Sequence, residues 1–240
     1  MDAFSCAACP RRCGALRKPA QPSGGFCGMP AGFVVARAAL HQWEEPCISG
    51  QHGSGTVFFS GCSLRCVYCQ NQQISLGRYG ALVTEENLLR MFDRLIEQGA
   101  HNLNLVNPTH YAPMLAKALK KYCSPVPVIY NSGGYERVEM LKALEGLVDI
   151  YLPDLKYVDS AVSLRYSGAA DYFDYASKAI LEMSRQVGKA TFDENGVMKK
   201  GLIVRHLILP RNTAQSIKAL TWIRENLPEE TLVSLMCQYT

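Results

Sequence analysis

The sequence predicts an α/β fold: a partial (β/α)6 parallel barrel with an N-terminal cysteine-rich metal-binding segment. Three observations lead there. Six short apolar, partly β-branched runs alternate with segments of helical periodicity, which implies parallel strands joined by right-handed crossovers. Polar residues collect where each run stops, at the end of a parallel strand where such folds hold their ligands. The cysteines form two groups with metal-type spacing, one near the N-terminus and one just after the first strand.

The 240 residues suffice for one large domain or two small ones. A net charge of +4 from scattered basic residues gives no nucleic-acid footprint, and no apolar run is long enough to span a membrane. Met1 to Arg12 lacks the apolar stretch of a secretory signal, so a cytoplasmic location is expected. Ten cysteines are many for a reducing compartment, where clustered thiols point to metal rather than to disulfides.

Residues 1–50 read as a cysteine-rich segment with its lead-in, and 51–240 as the βα core. Cys6, Cys9, Cys13 and Cys27 lie among prolines and glycines with few large apolar side chains, too few for an independent core. Four thiolates on one metal would supply the missing free energy, and either zinc or an iron–sulfur cluster suits four cysteine ligands. Phe33 to Leu40 reads as a strand, and Glu44-Glu45 after it as a solvated acidic turn.

Thr56 to Ser60 is the first core strand. Gly61 to Asn71 follows with Cys62, Cys66 and Cys69 at C-x3-C-x2-C spacing and Tyr68 before the third cysteine. Three thiolates on a four-iron cluster leave one iron without a protein ligand, an open position where a small molecule can bind. Thr84 caps a helix that opens with Glu85 and Glu86 and runs to Gly99. Asn102–Val106, Val126–Tyr130, Val148–Leu152, Leu202–Leu209 and Leu232–Met236 are the remaining core strands. The helices between them span Tyr111–Tyr122 with Pro113 in its first turn, Glu136–Leu144, Tyr172–Val187, and a last one capped by Thr213. No helix follows the sixth strand, so the chain reads as a piece of a longer protein cut within a βα unit.

The strand ends carry the cysteine loop, Asn107-Pro-Thr-His110, Asn131-Ser-Gly-Gly-Tyr135, Asp154-Leu-Lys156, Arg205-His206 within the fifth strand, and Gln238-Tyr239. Alternation lets only one of Arg205 and His206 face the barrel interior. Cys47, Cys123 and Cys237 stand alone and read as buried thiols.

With its βα pattern, Cys62-x3-Cys66-x2-Cys69 resembles the radical S-adenosylmethionine superfamily. Gly61 to Asn71, Asp154-Leu-Lys156 and Val204 to Pro210 resemble the proteins related to pyruvate formate-lyase activating enzyme. Cys6-x2-Cys9-Pro-Arg-x-Cys13-Gly and Asn107-Pro-Thr-His110 are similar to an uncharacterised branch of that group. The resemblance implies a [4Fe-4S] cluster on Cys62, Cys66 and Cys69, with S-adenosylmethionine on its open iron. It also implies an oxygen-sensitive oxidoreductase that makes a 5′-deoxyadenosyl radical and abstracts hydrogen. It gives Tyr68 a place near the adenine, and Asn131 and Ser132 a place at the ribose. Asn107 and Thr109 stand where the superfamily often has a Gly-Gly-Glu stretch, absent here. Lys156 suits the methionyl carboxylate, Asp154 its ammonium or a monovalent cation, and Arg205 or His206 completes the pocket. The implied partners are a glycyl-radical protein or peptide and an electron donor such as flavodoxin or ferredoxin. Radical modification of a small molecule and a non-catalytic iron–sulfur redox sensor are the alternatives; polar groups at so many strand ends argue against the sensor.

Overall fold

A computed structural model describes residues 3–77 and 79–237. A short hairpin, β1 (Phe4–Ser5) with β2 (Leu16–Arg17), opens the chain. Next come β3 (Phe33–His41), α1 (Pro46–Ser49), β4 (Ser54–Phe59), α2 (Gln72–Gly77), β5 (Ala81–Val83), α3 (Glu85–Glu97) and β6 (Leu103–Val106). A 3-10 turn (Thr109–Tyr111) leads into α4 (Ala112–Lys121), then β7 (Val128–Ser132), α5 (Val138–Lys142) and β8 (Ile150–Pro153). The chain ends with α6 (Ser160–Ser167), α7 (Tyr172–Val187), β9 (Thr191–Phe192), β10 (Met198–Leu207), α8 (Thr213–Asn226) and β11 (Leu232–Met236).

The main sheet has the order β11-β10-β8-β7-β6-β4-β3-β5, with β9 paired to β10. From β4 to β11 the neighbours are parallel, as the alternation of apolar runs and helices predicts. β3, the strand expected over Phe33 to Leu40, pairs antiparallel with β4, and β5, which periodicity did not suggest, pairs antiparallel with β3. The architecture is therefore mixed α/β with a mostly parallel sheet, consistent with a partial barrel. No helix among the described residues is long and apolar enough to cross a membrane.

Strand alternation sorts the side chains into two layers. Tyr130, Tyr151 and Val204 join the large core beneath the helices, which also holds Leu88, Phe92 and Leu95 of α3 and Ile180 and Met183 of α7. Ile129, Ile150, Leu152 and Ile203 face the other way and pack with Ile48 of α1 and Met198. That second layer is the floor of the concave face. The Asn102 side chain seals α1 against it, donating to the Ile48 carbonyl at 2.8 Å and accepting from Ser54 at 2.6 Å.

The helix over 172–187 and the last strand over 232–236 have the bounds their periodicity predicts. Thr84 caps α3, its hydroxyl accepting from Asn87 N at 3.2 Å. Thr213 does not cap α8: Asn212 precedes the helix, and its side chain turns back to the Pro210 carbonyl. Cys123 and Cys237 are exposed and Cys47 is half-buried, which corrects their reading as buried thiols. Cys123 lies just past the last turn of α4 and Cys237 just past β11.

Gly134 holds the end of β7 against the end of β8. Its φ is +76°, and a β-carbon there would stand 2.1 Å from the Asp154 carbonyl oxygen and 2.9 Å from the Tyr172 hydroxyl. Gly134→Ala therefore meets fixed backbone as well as an unfavourable dihedral. It should cost about 3 kcal/mol or more in urea unfolding; a midpoint equal to that of the unchanged protein would refute this packing.

Candidate active site at the strand ends

The chain leaves β4 through Ser60 and a left-handed Gly61, where a β-carbon would meet the Met29 side chain at 2.6 Å and the Cys27 carbonyl at 3.1 Å. The cysteine loop follows without regular structure, and its amides and nearby hydroxyls point at sulfur. Leu64 N and Arg65 N donate to Cys62 Sγ at 3.3 and 3.5 Å. Ser167 donates to Cys66 Sγ at 2.9 Å and Ser75 to Cys69 Sγ at 3.6 Å. Burial pushes the Cys62 thiol up to about 11, and the neighbouring Cys66 and Cys69 add to the rise. No three His, Cys, Asp or Glu side chains among the described residues stand in finished metal-binding geometry. The donor set nevertheless suits an iron–sulfur cluster: three soft ligands sit in one loop, each supplied with a hydrogen bond of the kind that stabilises a thiolate.

Tyr68 reaches the same sulfurs through a relay. Its hydroxyl meets that of Tyr157 at 2.5 Å, Tyr157 meets Ser167 at 2.7 Å, and Ser167 bonds Cys66. Its ring packs edge-on against Tyr157 and Tyr166. Asn107, at φ +56°, donates to the Gly61 carbonyl at 2.6 Å, and its Oδ1 lies 3.9 Å from Cys62 Sγ. It thus fixes the loop to the end of β6.

Asp154, Lys156, Arg205 and Asn131 converge on the concave face. Lys156 donates to Asp154 Oδ2. Arg205 Nε donates to Asp154 Oδ1 at 3.0 Å, and its Nη2 to Asn131 Oδ1 at 2.5 Å. Burial alone would raise the Asp154 carboxyl, but Lys156 and Arg205 outweigh it and hold the group below its ordinary value. Burial likewise works against the charge on Lys156, and Asp154 more than restores it.

His206 points the other way. Its Nδ1 meets the Leu155 carbonyl at 2.6 Å and its Nε2 the Ser216 hydroxyl at 2.9 Å, under α8. Alternation along β10 separates the two neighbours, so Arg205 takes the interior and His206 is a satisfied core residue. Thr109 and Ser132 also differ from expectation. Both hydroxyls serve the fully buried Glu136, with Thr109 donating at 2.5 Å, while Tyr130 donates to the other carboxylate oxygen at 3.1 Å. Gln238-Tyr239 lies outside the described residues.

Glu44 was missed. Far from a solvated turn, its side chain is 9% exposed and its Oε2 lies 3.5 Å from Arg205 Nη1. Burial raises its carboxyl and Arg205 lowers it. Asn104, on the same face as Ile129, is fully buried beside it. The signal was present in part: an acidic pair directly before Pro46, the first residue of an apolar helical turn, is placed to enter an interior. Nothing in the sequence marks Ser75 or Ser167. A separate cleft of about 550 Å³, lined by residues including Arg12, Asp171 and Lys178, lies away from these groups.

The sequence matches the Radical SAM superfamily over residues 56–237. Among curated proteins, the uncharacterized protein MJ0674 of Methanocaldococcus jannaschii is 28% identical over 244 residues, covering 98% of this chain and 66% of the relative. A crystal structure of Streptococcus suis SuiB aligns with a TM-score of 0.51 at 15% identity, over 76% of this chain and 38% of that one. The chain thus spans just under two thirds of the archaeal relative's length, and the likeness to SuiB is one of fold.

Glu136 gives the site a pH signature. Burial, against the pull of Thr109, Ser132 and Tyr130, raises its carboxyl from 4.5 to about 7. A raised folded value means that its contribution to stability is complete below about 4.5 and is lost as pH rises through about 7. The loss is on the order of 3 kcal/mol. Glu136→Gln should remove that part of the slope in urea midpoints measured across this window. Parallel curves for the variant and the unchanged protein would show that Glu136 does not titrate there.

Proposed function

This chain belongs to the Radical SAM superfamily, and from that premise we propose that it cleaves S-adenosylmethionine reductively on a [4Fe-4S] cluster held by Cys62, Cys66 and Cys69. The observation that carries the reading is the convergence at the strand ends: three thiols with hydrogen-bond donors, beside a buried acid–base cluster of Asp154, Lys156 and Arg205. When bound, the cluster and S-adenosylmethionine supply one-electron carbon–sulfur cleavage and a 5′-deoxyadenosyl radical that abstracts hydrogen.

The residues have roles that follow from their chemistry. Leu64 N, Arg65 N, Ser75 and Ser167 stabilise negative charge on sulfur. Lys156 is a cation 16% exposed, suited to a carboxylate; Asp154 suits an ammonium or a monovalent cation. Arg205 orients Asp154 and Asn131 together, and Asn131 is the group available to a ribose hydroxyl. Glu44 keeps Arg205 in place from below. Tyr68, tied to Tyr157, offers an aromatic edge beside the loop. Asn107 holds the loop itself, while Thr109, Ser132 and His206 act through the fold.

We further propose that hydrogen is taken from a glycine of a partner protein, as in enzymes related to pyruvate formate-lyase activating enzyme, with flavodoxin or ferredoxin as electron donor. Support for this finer reading is the pattern Asp154-Leu-Lys156 and Val204 to Pro210.

Anaerobic reconstitution followed by dithionite and S-adenosylmethionine should release 5′-deoxyadenosine, read by mass spectrometry. Cys66→Ala should abolish it and lower the bound iron by the content of that one cluster. Lys156→Met should retain the iron and lose roughly tenfold or more in S-adenosylmethionine affinity, the size of one charge-assisted hydrogen bond. No 5′-deoxyadenosine from a fully loaded protein would overturn the reading. Deuterium passing from a Cα-deuterated glycyl partner into 5′-deoxyadenosine would support the glycyl assignment, and transfer only from small peptides or metabolites would replace it.

A further inference from the structure

The N-terminal segment contains a charge without a matching opposite charge. Arg17 is 1% exposed, and among the described residues no carboxylate accepts from it. Its Nη2 donates to Cys27 Sγ at 3.4 Å, and its Nη1 is buried with no partner among the described residues. The rings of Phe4 and Tyr111 lie about the guanidinium at 5.9 and 5.7 Å. Arginine does not shed its proton in proteins, so burial cannot be relieved by neutralisation. An unpaired buried ion costs several kcal/mol, and a neutral thiol offsets little of that.

The neighbouring groups are thiols. Cys6, Cys9 and Cys27 are buried. The β1–β2 hairpin places Cys6 against Ala15, its amide donating to the Ala15 carbonyl at 3.0 Å. A turn closes over Cys9, with the Arg12 amide donating to the Cys9 carbonyl at 3.1 Å. Cys13 Sγ lies beside Gly25, 3.0 Å from where a β-carbon would be, and Gly25 begins the turn that presents Cys27.

We propose that Cys6, Cys9, Cys13 and Cys27 form a second, tetrathiolate metal centre whose net negative charge is the counter-ion of Arg17. On binding, each thiol releases its proton to solvent and forms a sulfur–metal bond; four thiolates on a divalent ion leave a complex of negative charge that persists at neutral pH. Zinc and an iron–sulfur cluster share this chemistry. The centre is distinct from the one on Cys62, Cys66 and Cys69, and it stands whether or not that centre cleaves S-adenosylmethionine.

The test uses the full chain with Cys62, Cys66 and Cys69 all replaced by alanine, which removes the other site. After anaerobic loading with zinc alone, or with iron and sulfide, the desalted protein should retain one zinc per chain or one cluster with thiolate-to-iron absorbance. The arm that retains metal identifies the centre. Alkylation by iodoacetamide gives a readout that needs no variant of the segment: exposed Cys13 should be protected relative to exposed Cys123 and become reactive when a chelator strips the metal. Arg17→Met should release metal to a chelator at least tenfold faster. Retention of neither metal, or Cys13 reacting as fast as Cys123 in the loaded protein, would overturn the proposal.

Discussion

The guanidinium of Arg205 is the contact on which the concave face depends. It joins Asp154 after β8, Asn131 in β7 and Glu44 in the link between β3 and α1, while its own backbone lies in β10. One planar cation thus spans three strands and the edge segment. Its fixed fork of donors is what makes such a junction specific, and a lysine would satisfy only part of it. The buried ion network is not a strong source of stability in itself, since desolvation offsets much of the attraction. Its consequence is geometric: Asp154 and Lys156 stay charged in an apolar surrounding, with a single orientation.

The parallel core was legible because its cause is local. Runs such as Val128-Ile129-Tyr130 and Ile150-Tyr151-Leu152 are apolar on both faces, as a strand covered by helices on one side and by a filled interior on the other must be. The antiparallel edge was harder. β5 is three residues long and mostly exposed, and its partner β3 is interrupted by Arg37 and loses its burial midway, so neither carries a clean period. The C-x3-C-x2-C group stood out by its spacing alone. Asp154, Lys156 and Arg205 were legible from their place at strand ends, whereas the choice between Arg205 and His206 needed the register. Glu44 was misread because its partner lies 161 positions later, and no local pattern encodes a pairing of that range.

Thr109 and Ser132 show the opposite difficulty. Both occur at strand ends, where a hydroxyl suggests a ligand, yet their partner is a carboxyl buried on the helix side. A parallel strand presents alternate residues to opposite layers, so position along the strand names the end but not the face. Counting from Ile129 assigns Asn131 to the interior and Ser132 away from it. The same count separates Arg205 from His206.

Arg11 ties the beginning of the chain to this site. Its Nε donates to the Ser63 carbonyl and its Nη2 to that of Ser167, both at 2.8 Å, and its Nη1 reaches the Gly168 carbonyl. Ser63 lies in the cysteine loop, and Ser167 is the residue whose hydroxyl bonds Cys66. The cysteine-rich segment is therefore not a detachable module. Without Arg11, one carbonyl of the cysteine loop and two at the end of α6 would lose their donor, so the N-terminal segment is part of the scaffold that fixes the loop's position.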